Sequence, residues 1–530
     1  MANLIKKILA TGSCKASRAA LRLMHRGGTA FPGKAAMFWA DDILADASEG
    51  VTTIIVTGTN GKTTTCRILE HALRAAGKDP LANRSGANLL SGITAEFVCD
   101  ATLTGRARHK YAVIECDEAA LRYVAPLVKP AVIVVTNLFR DQLDRYGEVM
   151  HTLEVIREAI LEVPQSLLCL NADDSLVASL GLDVPNPVRY FGMDGTPEVS
   201  DRPRAEGTPE VSDGPRAEGT PEVSKADRTP EVSDDSGAPA ISDARRCIRC
   251  GAEYRYKYVT YAHLGGFYCP SCGYHRPMAD VAVTSVDHMS EDSSTVHMRV
   301  GAPATSGVSA TSEVSKTSGV SATSGVSKTS GVAQSSKTSG VEVEIGLPAL
   351  YNLYNAAGAV CAYMGAGFPT AEILRALGDH VNGFGRQEQF VLDGVNVRMI
   401  LVKNPAGCNQ ALDYLGTMGQ EFDLILCLND RTADGHDISW IWDADYEKLA
   451  NEKNLDRIFA YGDRAEDMCV RLKYAGVDTD RISILSDEKE ILRQIREGGK
   501  PVVILPNYTS MLAVRAALQK AAGGREFWKG

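Results

Sequence analysis

The chain has 530 residues, 44% of them apolar, with a formal net charge of −10 and a pI near 5.6. That length exceeds one ordinary hydrophobic core, so two or three domains are expected, and the apolar content excludes a chain disordered throughout. The acidic balance argues against a nucleic-acid partner, whose backbone must be met by clustered Lys and Arg.

Residues 1–50 read as a helical lead-in. Its first ten residues, from Met1 to Ala10, are basic and mildly amphipathic, but too short and interrupted in their apolar stretch for a signal peptide. An ordinary first helix is the leading interpretation, and a weak contact with an anionic membrane is the lesser one. No apolar run is long enough for a transmembrane segment, so the expected location is the cytoplasm.

From 51 to 385 the pattern is that of a central α/β domain. Short β-branched runs at 52–56, 111–115, 131–135 and 166–170 are separated by helical stretches such as 64–76 and 148–162. Continuous apolar strands alternating with helices imply a mainly parallel sheet covered on both faces. Two repeats interrupt this domain. A twelve-residue unit beginning Gly-Thr-Pro-Glu-Val-Ser recurs over 195–242, and a six-residue unit, Thr-Ser-Gly-Val-Ser followed by Ala or Lys, recurs over 305–340. Neither has the bulky apolar groups that offset the entropy of ordering, so both are expected to be mobile loops. The second lies between alternating flanks at 294–300 and 341–345 and is expected to extend a hairpin turn. Helices at 351–366 and 370–377 lead to a smaller C-terminal α/β domain, 386–530, with strands at 397–402, 424–428, 457–460 and 502–505.

The first strand runs into Gly58-Thr59-Asn60-Gly61-Lys62-Thr63-Thr64 and then a helix. Glycines let a loop curl its N–H groups toward phosphate oxygens, and the helix N-terminus adds its positive end. Lys62 can reach the terminal phosphates of ATP, and the Thr63 hydroxyl can help to hold Mg2+. Glu115 and Asn137 end the next strands, where side chains of a parallel sheet face the ligand crevice, so Glu115 is the second candidate Mg2+ ligand. Asp117, Asp141, Gln142 and Asp144 follow nearby. Asn171 and Asp173 end a fourth strand, placed to touch base or ribose.

Thirteen cysteines are present. Nine are scattered in apolar segments and read as buried hydrophobes of a reducing compartment. The other four, Cys247, Cys250, Cys269 and Cys272, form two Cys-x-x-Cys pairs with 18 residues between them, each pair closed by a glycine. That spacing points to tetrahedral thiolate coordination of Zn2+ in a ribbon spanning 245–276, with no position open to substrate and hence a structural metal. His263 and His275 read as loop residues.

The run from Thr57 to Thr64, Glu115, and the stretch from Thr136 to Asp144 followed by Gly147 resemble the central ATPase domain of the Mur ligases. Gly383-Phe-Gly-Arg386 resembles the hinge before their C-terminal domain, and Lys403-Asn404-Pro-Ala-Gly407 their Asn-Pro loop. Together with the four-cysteine ribbon and the segment 428–443, these features resemble the MurT family, synthetase subunits of lipid II isoglutaminyl synthase. The resemblance runs from about Gly33 to the C-terminus outside the repeats. It implies a Mur ligase-like fold with an inserted zinc ribbon, no domain for a UDP-linked sugar, and no carbamylated lysine. It further implies ATP-dependent amidation of D-glutamate in the lipid II stem peptide at the inner face of the membrane, with ammonia from a GatD-type glutamine amidotransferase partner. Asp443 is matched to the aspartate that completes the partner's catalytic centre, with Asp437 and Asp434 as alternatives, and Arg386 to a hinge or phosphate contact. The rival reading is a Mur-type ligase that adds an amino acid without a partner; a folylpolyglutamate-type ligase and a non-catalytic nucleotide-gated scaffold are more distant.

Overall fold

The computed structural model describes residues 2–24, 30–83, 87–139, 146–195, 236–237, 244–290, 292–301, 340–379 and 386–522. Nearly all of both repeats, together with Asp141, Gln142, Asp144 and Gly383, lie outside the described residues.

The central sheet has nine strands in the spatial order Val341–Ile345, Ser294–Val300, Val281–Met289, Val188–Met193, Leu167–Asn171, Val132–Val135, Thr52–Thr57, Tyr111–Glu115 and Leu81–Ala82. All pairings from Val281–Met289 onward are parallel. The two before it are antiparallel, and the six-residue repeat connects one of these pairs, Ser294–Val300 with Val341–Ile345, as expected of a hairpin insertion. Successive side chains on a strand point to opposite faces. Ile55, Ile114, Ile133 and Leu168 accordingly join one apolar cluster, while Ile54, Val113, Val132 and Cys169 join another. Each cluster is covered by helices, which is why the strands read as unbroken apolar runs.

Helix Leu350–Gly365 shows how closely one layer packs. A Cβ on Gly365 would sit 2.4 Å from Leu167 Cδ2, and one on Gly358 would sit 3.1 Å from the Phe191 ring. The lead-in is not detached from this domain. Helices Ala2–Leu23, Ala30–Trp39 and Ile43–Ser48 contribute Ala10, Cys14, Ala36, Ile43 and Leu44 to the same cluster as the sheet.

The C-terminal domain holds a six-stranded sheet in the order Arg386–Leu392, Val395–Ile400, Val502–Pro506, Phe422–Cys427, Leu455–Tyr461 and Ile482–Leu485. Its first two strands form a hairpin turned at Asp393 and Gly394, both at positive φ, the backbone that two-residue hairpin loops demand. The rest are parallel.

Candidate functional site

Strand Thr52–Thr57 delivers the loop 58–61 to helix Lys62–Ala75. Two glycines shape it. Gly58 has φ of 117°, and a Cβ there would lie 2.8 Å from the Asn137 carbonyl oxygen. Gly61 caps the helix at φ 87°, and its Cβ would fall 2.1 Å from Asn355 Oδ1. Side chains at either position would therefore meet both strain and neighbours.

Neighbouring strand ends hold the loop. The Asn60 N–H donates to Asn137 Oδ1 at 2.8 Å, and the Asn60 carbonyl accepts from Asn137 Nδ2 at 3.1 Å and Thr136 Oγ1 at 2.7 Å. Thr59 Oγ1 donates to the Phe139 carbonyl and accepts from the Phe139 N–H. Asn137 thus acts first as a clamp on the loop backbone, while it also lines the adjoining cleft.

The two expected Mg2+ ligands are brought together. Thr63 Oγ1 donates to Glu115 Oε2 at 2.8 Å, across two elements 52 residues apart in sequence. Buried Asn83 fixes Glu115 in turn, accepting from its N–H at 2.9 Å and donating to its carbonyl at 2.7 Å. Lys62, only 6% exposed, donates to the Gly58 carbonyl at 2.5 Å and to Glu118 Oε1 at 2.9 Å. Thr64 is buried on the same helix. Glu118 follows Asp117, which caps helix Glu118–Val128 through the Ala119 N–H; burial, with the Glu118 charge beside it, pushes the Asp117 carboxyl up.

A cleft opens beside the loop, lined by Asn60, Gly61, Asn137, Tyr261, Tyr351 and Asn355 from the central domain and by Lys403, Asn404 and Gln410 from the C-terminal one. Asn404 closes it: the residue caps helix Pro405–Leu415 through the Gly407 N–H at 2.8 Å and donates to Asn60 Oδ1 at 3.3 Å. The expected Asn-Pro loop therefore meets the phosphate loop directly. Arg386 begins its strand, and its side chain lies outside the described residues.

Asn171 and Asp173 do not reach the cleft, contrary to the base or ribose contact expected of them. Both are fully buried. Asn171 donates to the Thr136 carbonyl and accepts from the Asp173 N–H. Asp173 takes Arg276 at 2.5 Å, the Tyr354 hydroxyl at 2.6 Å and the Met193 N–H at 2.9 Å, tying the ribbon, the long helix and a strand together. The strand end is covered, so its polar groups serve the scaffold.

Cys247, Cys250, Cys269 and Cys272 converge, with all four sulfurs within 4.8 Å of one another and no disulfide. Gly251 and Gly273 turn at φ 76° and 77°, each donating its N–H to the carbonyl of the first cysteine of its pair. Two matching knuckles thus present four thiolates at distances near the edge of a tetrahedron with metal–sulfur bonds of about 2.3 Å. The donor set fits a structural Zn2+. The hairpin Arg255–Tyr261 and Leu264–Tyr268 carries this cluster, and Tyr274 anchors it to the Ser175 carbonyl at 2.9 Å.

On the C-terminal domain, the 3-10 turn Ser439–Asp443 carries the three candidate aspartates' last member. Asp434 is held by the Thr509 N–H at 2.7 Å and its hydroxyl. Asp437 accepts from the Ser439 N–H and hydroxyl, which hold its carboxyl below the usual range. Asp443 is half-buried and, among the described residues, makes no hydrogen bond or ion pair. Beside it Trp442 is half-exposed and stacks edge-on against Tyr474.

Residues 56–208 match the Mur ligase middle domain, and residues 401–511 match the MurT ligase C-terminal domain. The chain is 30% identical over 516 residues to the MurT subunit of the glutamine-hydrolysing lipid II isoglutaminyl synthase of Streptococcus pneumoniae, covering 97% of both chains. It is 28% identical to the corresponding Staphylococcus aureus subunit over 96% of this chain and 97% of that one. Among solved structures, MurF of Acinetobacter baumannii aligns with a TM-score of 0.57 at 15% identity, over 93% of this chain and 81% of the other, a likeness of fold. Matching models at both ends of the site and a relative aligned from end to end lead to one conclusion: the chain belongs to the MurT family of Mur ligase-like subunits.

Proposed function

We propose that the chain is the synthetase subunit of a lipid II isoglutaminyl synthase, an ATP-dependent carbon–nitrogen ligase that amidates the α-carboxyl of D-glutamate in the stem peptide. The observation that carries the reading is the Thr63–Glu115 pair at the foot of a glycine loop, facing a cleft that Asn404 closes from the second domain.

In this reading Lys62 leaves Glu118 and meets the phosphates, neutralising charge that grows on the transferring group. Thr63 and Glu115 would hold Mg2+, which when bound supplies further neutralisation on the phosphate oxygens. Gly61 presents its backbone N–H group, while Asn137 holds that of Asn60, and Asn355, Gln410 and Tyr351 offer amide and ring surface for the base. A substrate carboxylate oxygen attacks the γ-phosphorus, and ADP leaves. Ammonia then attacks the acyl carbon, phosphate departs with the former carboxylate oxygen, and the proton that nitrogen loses as the amide forms ends on that phosphate. Closure of the second domain through Asn404 excludes water that would hydrolyse the acyl phosphate. The four cysteines hold Zn2+ as a structural group.

Ammonia comes from a GatD-type glutaminase subunit, whose cysteine and histidine lie near Asp443. The carboxylate there would orient and stabilise the partner's imidazolium, as the third member of a triad does. Its lack of an internal partner among the described residues supports this over Asp434, both of whose oxygens are taken, and over Asp437, whose Oδ1 is taken by Ser439. Purified chain, glutaminase subunit, lipid II, glutamine and Mg-ATP test the proposal together. Replacement of one stem-peptide carboxyl by an amide is expected only with both subunits. An amino acid added without the second subunit would reject it.

A further inference from the structure

The first forty residues have a charge opposite to that of the chain. They contain seven Lys and Arg and no Asp or Glu, in a protein of net charge −10. Helix Ala2–Leu23 buries only one side: Ala10, Thr11 and Cys14 pack against the neighbouring helices Ala30–Trp39 and Leu90–Asp100. The opposite side is apolar and outward. Leu4, Ile5, Ile8, Leu9 and Leu23 are 41–83% exposed, and the exposed or partly exposed positions between them are Gly12, Ala16, Ala19 and Ala20. At 3.6 residues per turn these fall in one sector. Lys6 borders the stripe on one side, and Lys15 and Arg22 border it on the other. Lys15 is tied to the Ala101 carbonyl. Lys6, Arg22 and Lys34 are exposed and make no ion pair among the described residues. The second helix of the same unit adds Phe31, Phe38 and Trp39, all exposed.

We infer that this two-helix unit is a docking surface for an anionic phospholipid bilayer, with the stripe lying in the headgroup–acyl boundary and the cations meeting lipid phosphates. The pattern of an apolar stripe edged by free cations is the one that favours interfacial binding. Each Lys or Arg near such a surface contributes about 1 kcal/mol. Trp and Phe prefer the same boundary. The helix is already folded and fixed by its buried side, so docking orders little new chain. No helix of the described residues is long and apolar enough to cross a membrane. The inference is independent of the amidation chemistry, because it is read without ATP or substrate.

The test is flotation of the full chain with vesicles of phosphatidylglycerol and phosphatidylcholine, against vesicles of phosphatidylcholine alone. Binding is expected to the anionic vesicles and to fall at least tenfold in Lys6→Gln/Arg22→Gln, the loss of two surface charges. Ile5→Ser/Ile8→Ser should also lose binding, while keeping the wild-type melting temperature, since both side chains already face water. Three results would overturn the inference. They are equal binding to both vesicle types, binding unaffected by either double variant, and a concentration-dependent dimer that the Ile5→Ser/Ile8→Ser change abolishes without any vesicle binding, which would make the stripe a self-interface.

Discussion

Gly61→Ala puts a number on how tightly the phosphate loop is specified. Gly61 sits at φ 87°, where an L-residue costs roughly 1–2 kcal/mol. The new Cβ would lie 2.1 Å from Asn355 Oδ1, the tip of a side chain rather than backbone. Asn355 would therefore rotate and forfeit its 3.2 Å bond to Asn352 Oδ1, about 1 kcal/mol. Together the cost is about 2–3 kcal/mol, or a factor of roughly 30–150 in an equilibrium constant. Titration calorimetry with ATP and Mg2+, paired with thermal melts, shows where that cost falls. If the loop keeps its shape the melting temperature drops; if it relaxes, ATP affinity drops. Repeating the change in an Asn355→Ala background should recover the collision share but not the backbone share, a double-mutant cycle with a coupling near 1 kcal/mol. Unchanged affinity together with an unchanged melting temperature would refute the reasoning.

Other consequences follow from the same geometry. Lys62→Ala should lower phosphate release by about a hundredfold or more, measured with lipid II and both subunits, because it removes a cation aimed at the transferring group. Asp443→Ala should cut glutamine-driven amidation by a factor on the order of 10³–10⁴ and spare the rate with added ammonium, whereas Asp437→Ala should leave both rates within about twofold. With Zn2+ in the four-cysteine cluster as proposed, Cys269→Ser should lower the bound zinc, read by atomic absorption, and lower the melting temperature by roughly 5 °C or more, at about 2–4 °C per kcal/mol for a domain of ~200 residues. Glu372 accepts from the Tyr363 hydroxyl at 2.6 Å and pairs with Lys78 at 3.0 Å, and these hold its carboxyl below the usual range. A depressed carboxyl contributes stability above its unfolded value, about 4.3, that is lost as pH falls through the folded one. Glu372→Gln should therefore lower the melting temperature at neutral pH and flatten the acid limb, so that the two profiles converge at low pH.

What the sequence revealed was whatever backbone chemistry demands locally. Gly58 and Gly61 announce a loop because their φ favours glycine, and Cys247 to Cys272 announce a cluster because two Cys-x-x-Cys pairs at that spacing can bring four sulfurs together. The strands 52–57, 111–115 and 132–135 were legible as buried runs because helices cover both of their faces. Side chains that act across elements were not legible. Glu118, Asn83 and Asn355 matter only because separate strands and helices bring them to Lys62, Glu115 and Gly61. Asn171 and Asp173 misled for a related reason. A strand end faces the crevice only when nothing lies over it, and here strand Val188–Met193 and the ribbon hairpin do: the Gly265 N–H reaches the Asp173 carbonyl at 3.0 Å. Strand Val188–Met193 was not legible because its first half, Val188 to Tyr190, is only partly buried and carries Arg189, so it lacks an unbroken apolar run. The amphipathic first helix was visible in sequence, but which side faces water follows only from its packing.

The central claim is that ATP activates a carboxylate as an acyl phosphate at this loop, and oxygen tracing tests it most directly. Stem-peptide D-glutamate carrying heavy oxygen in its α-carboxyl is turned over by the paired subunits, and the released phosphate is analysed by mass spectrometry. One heavy oxygen per phosphate is expected, matched to each amide formed. Amide formed with unlabelled phosphate would contradict the mechanism.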